Sequence, residues 1–329
     1  MVPAALIKFE FDDPGTFASA LTNSDVQCLQ TSPGALKLEL YILRTASLEL
    51  HLTSLPVGSC VALGKASDSL LSFHVPLMDE PRLSIMGRRM EAGLVARYSS
   101  GGEIAVNAEC GARLAYIVPN PDAFAAAAGD DVGHVCGSKG SQAFVAAHTL
   151  AGVSGLQDCI NNVWRLVDRQ PEALDHGEVA RHLEQMLLVR LSDAVCSSET
   201  PGTPPGRTPV SRQAIMKRVD DYLRLKSSEP VYVSELCGAA GVSQPTLFRA
   251  FFDVLGLSPK QYLQIRRLHL ARDRLLHNGN PERTVSSVAY DCGFWQLGRF
   301  GQAYRKLFGE APSQTLKRSR GTAVPHSKA

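Results

Sequence analysis

The 329-residue sequence has no CxxC pair, no HxH followed by a carboxylate and no Cys/His cluster at zinc spacing. Its eight cysteines (Cys28, Cys60, Cys110, Cys136, Cys159, Cys196, Cys237 and Cys292) are dispersed. Neither a disulfide framework nor a zinc module is expected from them, and they read as reduced, buried small hydrophobes. His51 and His74 each stand alone on strand-like runs, and a lone histidine there is more often packed or exposed than a metal ligand. There is no GxSxG, no phosphate-cradling glycine loop and no Cys/His nucleophile setting, so neither catalysis nor a cofactor finds support. No apolar run is long enough to span a bilayer, and the N-terminus lacks a basic region followed by an apolar core and a small-residue cleavage site. A cytoplasmic protein without membrane association is expected.

What is present is an ordinary globular composition, 44% hydrophobic and 20% charged, with length for two domains. The formal net charge of +2 conceals an uneven distribution. From Arg207 onward there are 20 Lys and Arg against 9 Asp and Glu, whereas the preceding residues carry 14 against 23. A basic C-terminal part suits a polyanionic partner, and an acidic N-terminal part does not.

Residues 1–140 show short β-favouring runs broken by Gly, Pro, Asn and Asp: Leu36–Leu43, Ser47–Leu52, Cys60–Leu63, Leu70–Val75, Leu94–Tyr98 and Arg113–Val118. The alternation in Leu36-Lys37-Leu38-Glu39-Leu40 and Leu48-Glu49-Leu50-His51-Leu52 marks half-buried strands, and several of these imply a β-sandwich or barrel able to hold a small ligand. From residue 141 to 197 the pattern turns helical. Val163, Leu166 and Val167 mark one face, and Val179, Leu183, Met186, Leu187, Leu191 and Ala194 another. That stripe suits packing on the β-domain, a dimer interface, or both. The Pro/Gly-rich stretch within 198–210 reads as an interdomain linker.

Two segments of the C-terminal part share one layout, VSELCGAAGVSQPTLFRAFFDVLG and VSSVAYDCGFWQLGRFGQAYRKLFG. Each reads as a short apolar helix, a glycine turn (Gly241 or Gly293) and a second helix mixing aromatic anchors with exposed polar and cationic residues, which is a helix-turn-helix. An opening helix carries Ile215, Val219, Tyr222 and Leu223. The first support helix is expected over Val231–Ala239. Ser243 is suited to cap the next helix, and Pro245 falls in its first turn, where its missing N–H costs nothing. Leu247, Phe251 and Phe252 are expected to face inward, with Gln244, Pro245, Thr246, Phe248 and Arg249 outward.

Ser258-Pro259 opens a connector helix through Leu275, whose other face carries Arg266, Arg267, Arg272 and Arg274. Asn278-Gly279-Asn280-Pro281 ends it. The second recognition helix is expected over Trp295–Phe308, anchored by Phe300, Tyr304 and Phe308. Trp295, Gln296, Leu297, Arg299, Gln302, Arg305 and Lys306 are left for solvent or DNA. Arginine and glutamine suit that place because each makes bidentate hydrogen bonds to base edges. Arg249 and Gln302 lie 53 positions apart, and a stiff helix between the units suits two recognition helices about one duplex turn, ~34 Å, apart. Gly298 and Gly301 are unusual inside a helix, each costing about 1 kcal/mol against alanine, so the second helix is expected to be softer. Residues 321–329 read as a disordered tail.

GVSQPTLFRAFFDVLGLSPKQYLQIRRLHLARDRLL followed by VSSVAYDCGFWQLGRFGQAYRKLFGEAPSQ resembles the AraC/XylS family of bacterial transcription regulators. The SP-x-x-YL…RL…A…LL and VA-x-x-CGF…F…Y-x-x-FG-x-x-P patterns carry the likeness, which covers roughly Ser211–Arg320. The resemblance implies an α+β multidomain protein: a β-rich, cupin-like effector-binding and often dimerising domain, then a helical tandem helix-turn-helix domain over 211–320. It further implies recognition helices in successive major grooves of promoter DNA, recruitment of RNA polymerase, and activation in response to a small-molecule effector. The resemblance places the base-reading arginine of the first unit at Arg249, with Gln244 and Pro245 beside it, and the base-facing positions of the second at Trp295, Gln296, Arg299 and Gln302; Thr246, Phe248 and Lys306, read from the outward faces, and Arg267 on the connector complete the expected DNA-binding set. Pro245 departs from the larger side chains usual at its position. The alternative for the N-terminal domain is a dimerisation or protein-interaction module without a ligand. An enzyme with a fused DNA-binding module requires a reactive cysteine in a CxxC or PCHR-like setting, which the sequence lacks.

Overall fold

Strand alternation organises the N-terminal part of the computed structural model, which describes residues 5–67, 71–77, 82–91, 93–98, 100–129, 143–146, 150–196, 212–277 and 283–322. Two compact units divide these residues, one drawn from Met1–Cys28 and Leu36–Pro209, the other from Leu29–Ala35 and Val210–Ala329.

Among the described residues, twelve strands form two sheets. The seven-stranded sheet has the order β1 (Ala5–Phe11), β3 (Lys37–Arg44), β4 (Leu48–Val57), β11 (Ala112–Pro119), β6 (Ser72–Pro76), β9 (Leu94–Tyr98) and β12 (Ala143–Ala146). The five-stranded sheet has β2 (Ser24–Gln30), β5 (Cys60–Ala66), β10 (Glu103–Ala108), β7 (Leu83–Ile85) and β8 (Arg88–Arg89). Of the two expected forms this is the sandwich: among the described residues the sheets remain separate, without the continuous ladder a closed barrel requires.

Period-two alternation sends successive side chains to opposite faces. Leu38, Leu40, Ile42 and Leu55 join Ile104, Val106 and Ala108 in a core between the sheets. Tyr41, Leu43, Leu50, Leu52, Phe73 and Ile117 face outward. There two helices cover them, α3 (Leu150–Arg169) and α4 (Gly177–Cys196), after the short α1 (Pro14–Ala20) and α2 (Pro121–Ala128). Val153, Leu156, Ile160, Val163, Leu187 and Leu191 complete this second core. The central strands are therefore buried on both faces, where the sequence pattern had implied one. At roughly 1.5–3 kcal/mol for each fully buried large aliphatic or aromatic side chain, the helices are part of the domain's stability. Val163, Leu187 and Leu191 of the expected stripe are spent on this packing.

The helical reading of 141–197 requires one correction, because Ala143–Ala146 is a strand paired with Leu94–Arg97. Phenylalanine and valine have high strand propensity, and β9 offers an edge to pair with. The linker stretch expected at 198–210 lies outside the described residues. Strands β1, β2, β7, β8 and β10 and helices α1 and α2 were not anticipated from the sequence.

The second unit is helical: α5 (Arg212–Leu225), α6 (Val233–Ala240), α7 (Gln244–Leu255), α8 (Pro259–Leu276), α9 (Val285–Asp291), α10 (Leu297–Phe308) and α11 (Pro312–Thr322). The unanticipated α11 covers α8, and its Thr315 hydroxyl meets the Tyr304 hydroxyl at 2.8 Å in the interior. Its signal is Pro312 in the first turn with Gln314 Oε1 accepting from Ala311 N at 2.7 Å. This helix continues to Thr322; the rest of the expected tail, 323–329, lies outside the described residues, as does the Asn278–Pro281 stop.

Candidate nucleic-acid interface and interior cavity

Both turns close as their glycines demand. Gly241 and Gly293 have φ of +65° and +78°, the left-handed region in which a Cβ is strained. A Cβ on Gly293 also meets Pro230 at 3.1 Å. Helix α6 starts two residues later than expected, after Tyr232 at the cap position, whose N–H donates to Glu235 at 2.8 Å. The connector opens as the sequence implies: Ser258 Oγ accepts from Gln261 N at 3.3 Å, and Ser258 N donates to Gln261 Oε1 at 3.0 Å.

On α7, Leu247, Ala250 and Phe251 are buried, while Gln244, Pro245, Thr246 and Arg249 are exposed and Phe248 is half-buried. Phe252, expected inward, is 67% exposed. It follows Phe251 by one position, and a helix turns about 100° per residue, so the two cannot share the buried face. Ser243 occupies the cap position, but its hydroxyl meets the Thr246 hydroxyl at 2.9 Å rather than a backbone N–H.

On α10, Phe300, Tyr304 and Phe308 are buried at a spacing of four, and their rings stack edge-on in sequence at 5.6 and 4.6 Å. Arg299, Gln302 and Lys306 are exposed on the other side, with Gln296 at the cap position. Trp295 precedes the helix instead of opening it. It is 74% exposed and lies 6.0 Å from the Tyr290 ring. Gly298 and Gly301 face open space, with no atom within 4 Å of where a Cβ would stand.

Arg267 stands apart from the other nine expected site residues. It is half-buried on α8, its Nη1 donates to the Gly293 carbonyl at 3.4 Å, and its guanidinium lies 5.4 Å from the Phe294 ring and 6.0 Å from that of Tyr232. Burial lowers its pKa, against the opposing influence of Tyr232 and Cys292. It thus bridges the start of α6 and the turn of the second unit, an internal role whatever it does toward DNA.

Arg266, read from the sequence as part of an exposed basic face, is instead 2% exposed. Its Nη2 donates to the carbonyls of Leu223, Lys226 and Ser227, and its Nη1 to that of Glu229. A buried cation needs such partners, and the chain end after α5 supplies them. Spacing alone cannot distinguish this arginine from its neighbour.

Within the sandwich is a cavity of about 90 Å³. Its wall is mostly apolar, including Phe17, Leu38, Leu55, Ile104 and Val106, with Ser24, His51, Thr53, His74 and Tyr116 as polar members. Register places His51 opposite Tyr116 and Tyr116 opposite His74, so the three form a row across adjacent strands. His51 is 1% exposed; its Nε2 lies 2.5 Å from Glu49 and its Nδ1 has no partner. Burial raises the Glu49 pKa, but hydrogen bonds from His51 and Arg44 outweigh it and hold the carboxyl at about 2. His74 Nδ1 meets the buried Tyr98 hydroxyl at 2.9 Å. Burial, with the nearby His51, holds the His74 pKa down at about 3.

No group of three or more potential metal-binding side chains exists among the described residues, and no helix there is long and apolar enough to cross a membrane. None of the seven cysteines among the described residues is in a disulfide. Cys28, Cys60, Cys159 and Cys292 are buried as expected, whereas Cys110 is exposed and Cys196 and Cys237 are half-buried.

The second unit is therefore a tandem helix-turn-helix domain. A family model described as "Helix-turn-helix domain" matches residues 236–318. The chain is 28% identical over 180 residues to "XylDLEGF operon transcriptional activator 1" of Pseudomonas putida, covering 53% of this chain and 50% of that protein. It is 33% identical over 103 residues to "Probable thc operon regulatory protein" of Rhodococcus erythropolis, covering 31% of each. Among solved structures, a probable AraC family transcriptional regulator from Rhodopseudomonas palustris CGA009 is 35% identical, covering 32% of this chain and 96% of that one, with a TM-score of 0.29. The chain belongs to the AraC/XylS family of transcription regulators. It spans about half the length of the first of these curated relatives.

Proposed function

We propose that the protein is a one-component transcription regulator that binds promoter DNA through α7 and α10 in successive major grooves and responds to a small molecule held in its sandwich domain. One observation carries the DNA reading. Both second helices bury their aromatic anchors and leave arginine and glutamine outward: Gln244, Thr246 and Arg249 on one, Gln296, Arg299, Gln302 and Lys306 on the other, with Trp295 beside them. Phe248 and Arg267 complete the proposed set from half-buried positions. The activator role is carried over from the operon activator of Pseudomonas putida, and RNA polymerase as a partner belongs to the same reading. A homodimer and a cytoplasmic location belong to the same reading.

The cavity favours an effector domain over a purely interacting one, because an interaction module needs no internal space. In a gel-shift series against a selected operator, Arg249→Ala is expected to weaken specific binding by about 1–3 kcal/mol and to relax one base position. Unchanged site preference removes Arg249 from the interface.

A further inference from the structure

We infer that Trp295 selects a thymine, its indole ring packing on the C5 methyl and its N–H donating to O4 of one thymine in the major groove that the second unit faces. The inference rests on the DNA reading above and names the base edge that this residue recognises.

The turn presents this indole on a fixed backbone. Gly293 N donates to the Tyr290 carbonyl at 2.9 Å and Phe294 N to that of Ala289 at 2.9 Å. On the other side, Phe300 N donates to the Gln296 carbonyl at 2.9 Å, and the Phe294 and Phe300 rings lie 4.9 Å apart. Trp295 stands between these ties with its side chain turned out, 74% exposed and tilted 36° to the Tyr290 ring. Tyr290 is itself 44% exposed, so the two rings form an apolar step at the entry to α10. The turn of the second unit is also one residue longer. Leu247, the first buried residue of α7, comes six positions after Gly241, whereas Phe300 comes seven after Gly293. Two positions after its glycine, the first unit has Ser243 where the second has Trp295.

A recognition helix meets base edges chiefly with the residues at its N-terminal end, and α10 begins just after Trp295. The chemistry of the indole decides among the four edges. Its ring is apolar and its one polar atom is a donor. Thymine offers an apolar group, the C5 methyl, beside an acceptor, O4. Cytosine puts an amino donor where O4 stands, adenine pairs an amino donor with N7, and guanine has acceptors but no methyl. The exposed Arg299 and Gln302 on the same helix suit guanine and adenine, so Trp295 supplies a readout that they lack. It does so from the fixed turn, ahead of Gly298 and Gly301, so its aim does not depend on the softer part of the helix. Burying the exposed ring against a methyl also removes apolar surface from water.

The test uses the full-length protein and an operator that it enriches from random duplex DNA, with each thymine in turn replaced by deoxyuridine, which removes the methyl and nothing else. At one thymine the wild type is expected to lose about fourfold in affinity, the worth of one buried methyl group, and to lose more when that thymine becomes cytosine. Trp295→Ser, which places in this turn the residue found in the first unit, is expected to abolish the deoxyuridine effect at that thymine. It is expected to leave discrimination at the Arg249-dependent position unchanged, which also reports that the variant is folded. Trp295→Phe keeps a ring without the N–H. It is expected to retain the deoxyuridine effect and to accept 5-methylcytosine in place of the thymine, which the wild type rejects. The inference is overturned if no deoxyuridine lowers wild-type affinity, if Trp295→Ser keeps the wild-type pattern of losses, or if the wild type takes 5-methylcytosine as well as thymine. The DNA reading survives each of these results, because the operator is still enriched and the Arg249-dependent position still discriminates. If no sequence is enriched, the DNA reading falls and this inference falls with it.

Discussion

The two helix-turn-helix units share a layout but differ in how firmly their outer helices are held. Helix α7 begins with Pro245 in its first turn and has no glycine before its C-terminal Gly256. Neither helix has a side-chain cap bond, but α10, from Leu297, has no proline in its first turn and contains Gly298 and Gly301. In compensation, α10 has the richer interior: Phe300, Tyr304 and Phe308 in an edge-on series, with Thr315 of α11 closing over Tyr304. In α7 the corresponding stacking is a single pair, Phe251 with Tyr262 at 5.5 Å. One helix is fixed by its own backbone preferences and the other by what it packs on, which teaches that similar sequence layouts reach similar shapes by different balances of local and tertiary terms.

Truncating the anchors tests this division most severely. Phe300→Ala and Phe251→Ala are each expected to cost about 3–5 kcal/mol, the range for large buried aromatics. The Phe300 variant is expected at the upper end because it also strips the ring partners of Phe294 and Tyr304. Chemical denaturation of both variants checks this, and a larger loss for Phe251→Ala reverses the comparison.

The next effect is on DNA. Arg249→Ala is expected to lose about 1–3 kcal/mol of specific binding and to relax one position, whereas Arg299→Ala on the softer helix is expected to lose less and to alter affinity more uniformly across sequences. Binding to a panel of single-base operator variants reads both outcomes. Equal loss of discrimination from the two makes the units equal partners in readout.

Alkaline pH acts on the second unit through Tyr304. Burial pushes its phenol up to about 12, with Thr315 and Arg272 pulling the other way, from an ordinary value of 10.0. A raised acid pKa means that the folded state keeps a proton the unfolded chain releases. The stabilisation is therefore complete below about pH 10 and declines between about 10 and 12, by roughly 1.4 kcal/mol per pH unit. Tyr304→Phe is expected to flatten this decline, measured as the urea midpoint against pH.

Smallest is the effect of the glycines. Gly298→Ala and Gly301→Ala meet no atom within 4 Å, so each is expected to stabilise α10 by about 1 kcal/mol. If softness limits the second helix, the double variant also sharpens base discrimination. If it weakens DNA binding while raising the melting point, the missing side chains serve close approach to the backbone of the duplex instead.

Most elements of the second unit were legible before the structure. Proline and serine at helix starts, glycine at turns and aromatic spacing of four are local rules, so α5 to α10 and the outward placement of Arg249, Arg299 and Gln302 follow from them. Errors arose where two neighbours compete for one face, as with Phe251 and Phe252, or where a charged residue turns inward to satisfy carbonyls far away in the chain, as Arg266 does. In the N-terminal domain β9 was read with its bounds, Leu94–Tyr98, and β3, β4, β5, β6 and β11 within a few residues. The short strand Ala143–Ala146 was missed because its strand character depends on the edge of β9.

By itself the sequence determined the tandem helix-turn-helix, its glycine turns and its family, since each depends on backbone geometry and spacing over a few residues. Only tertiary structure decided that two helices cover the outer face of the seven-stranded sheet and that His51, Tyr116 and His74 share one row. The physical reason is register: the three residues come from strands far apart in the chain, and only pairing of those strands aligns them around a common cavity.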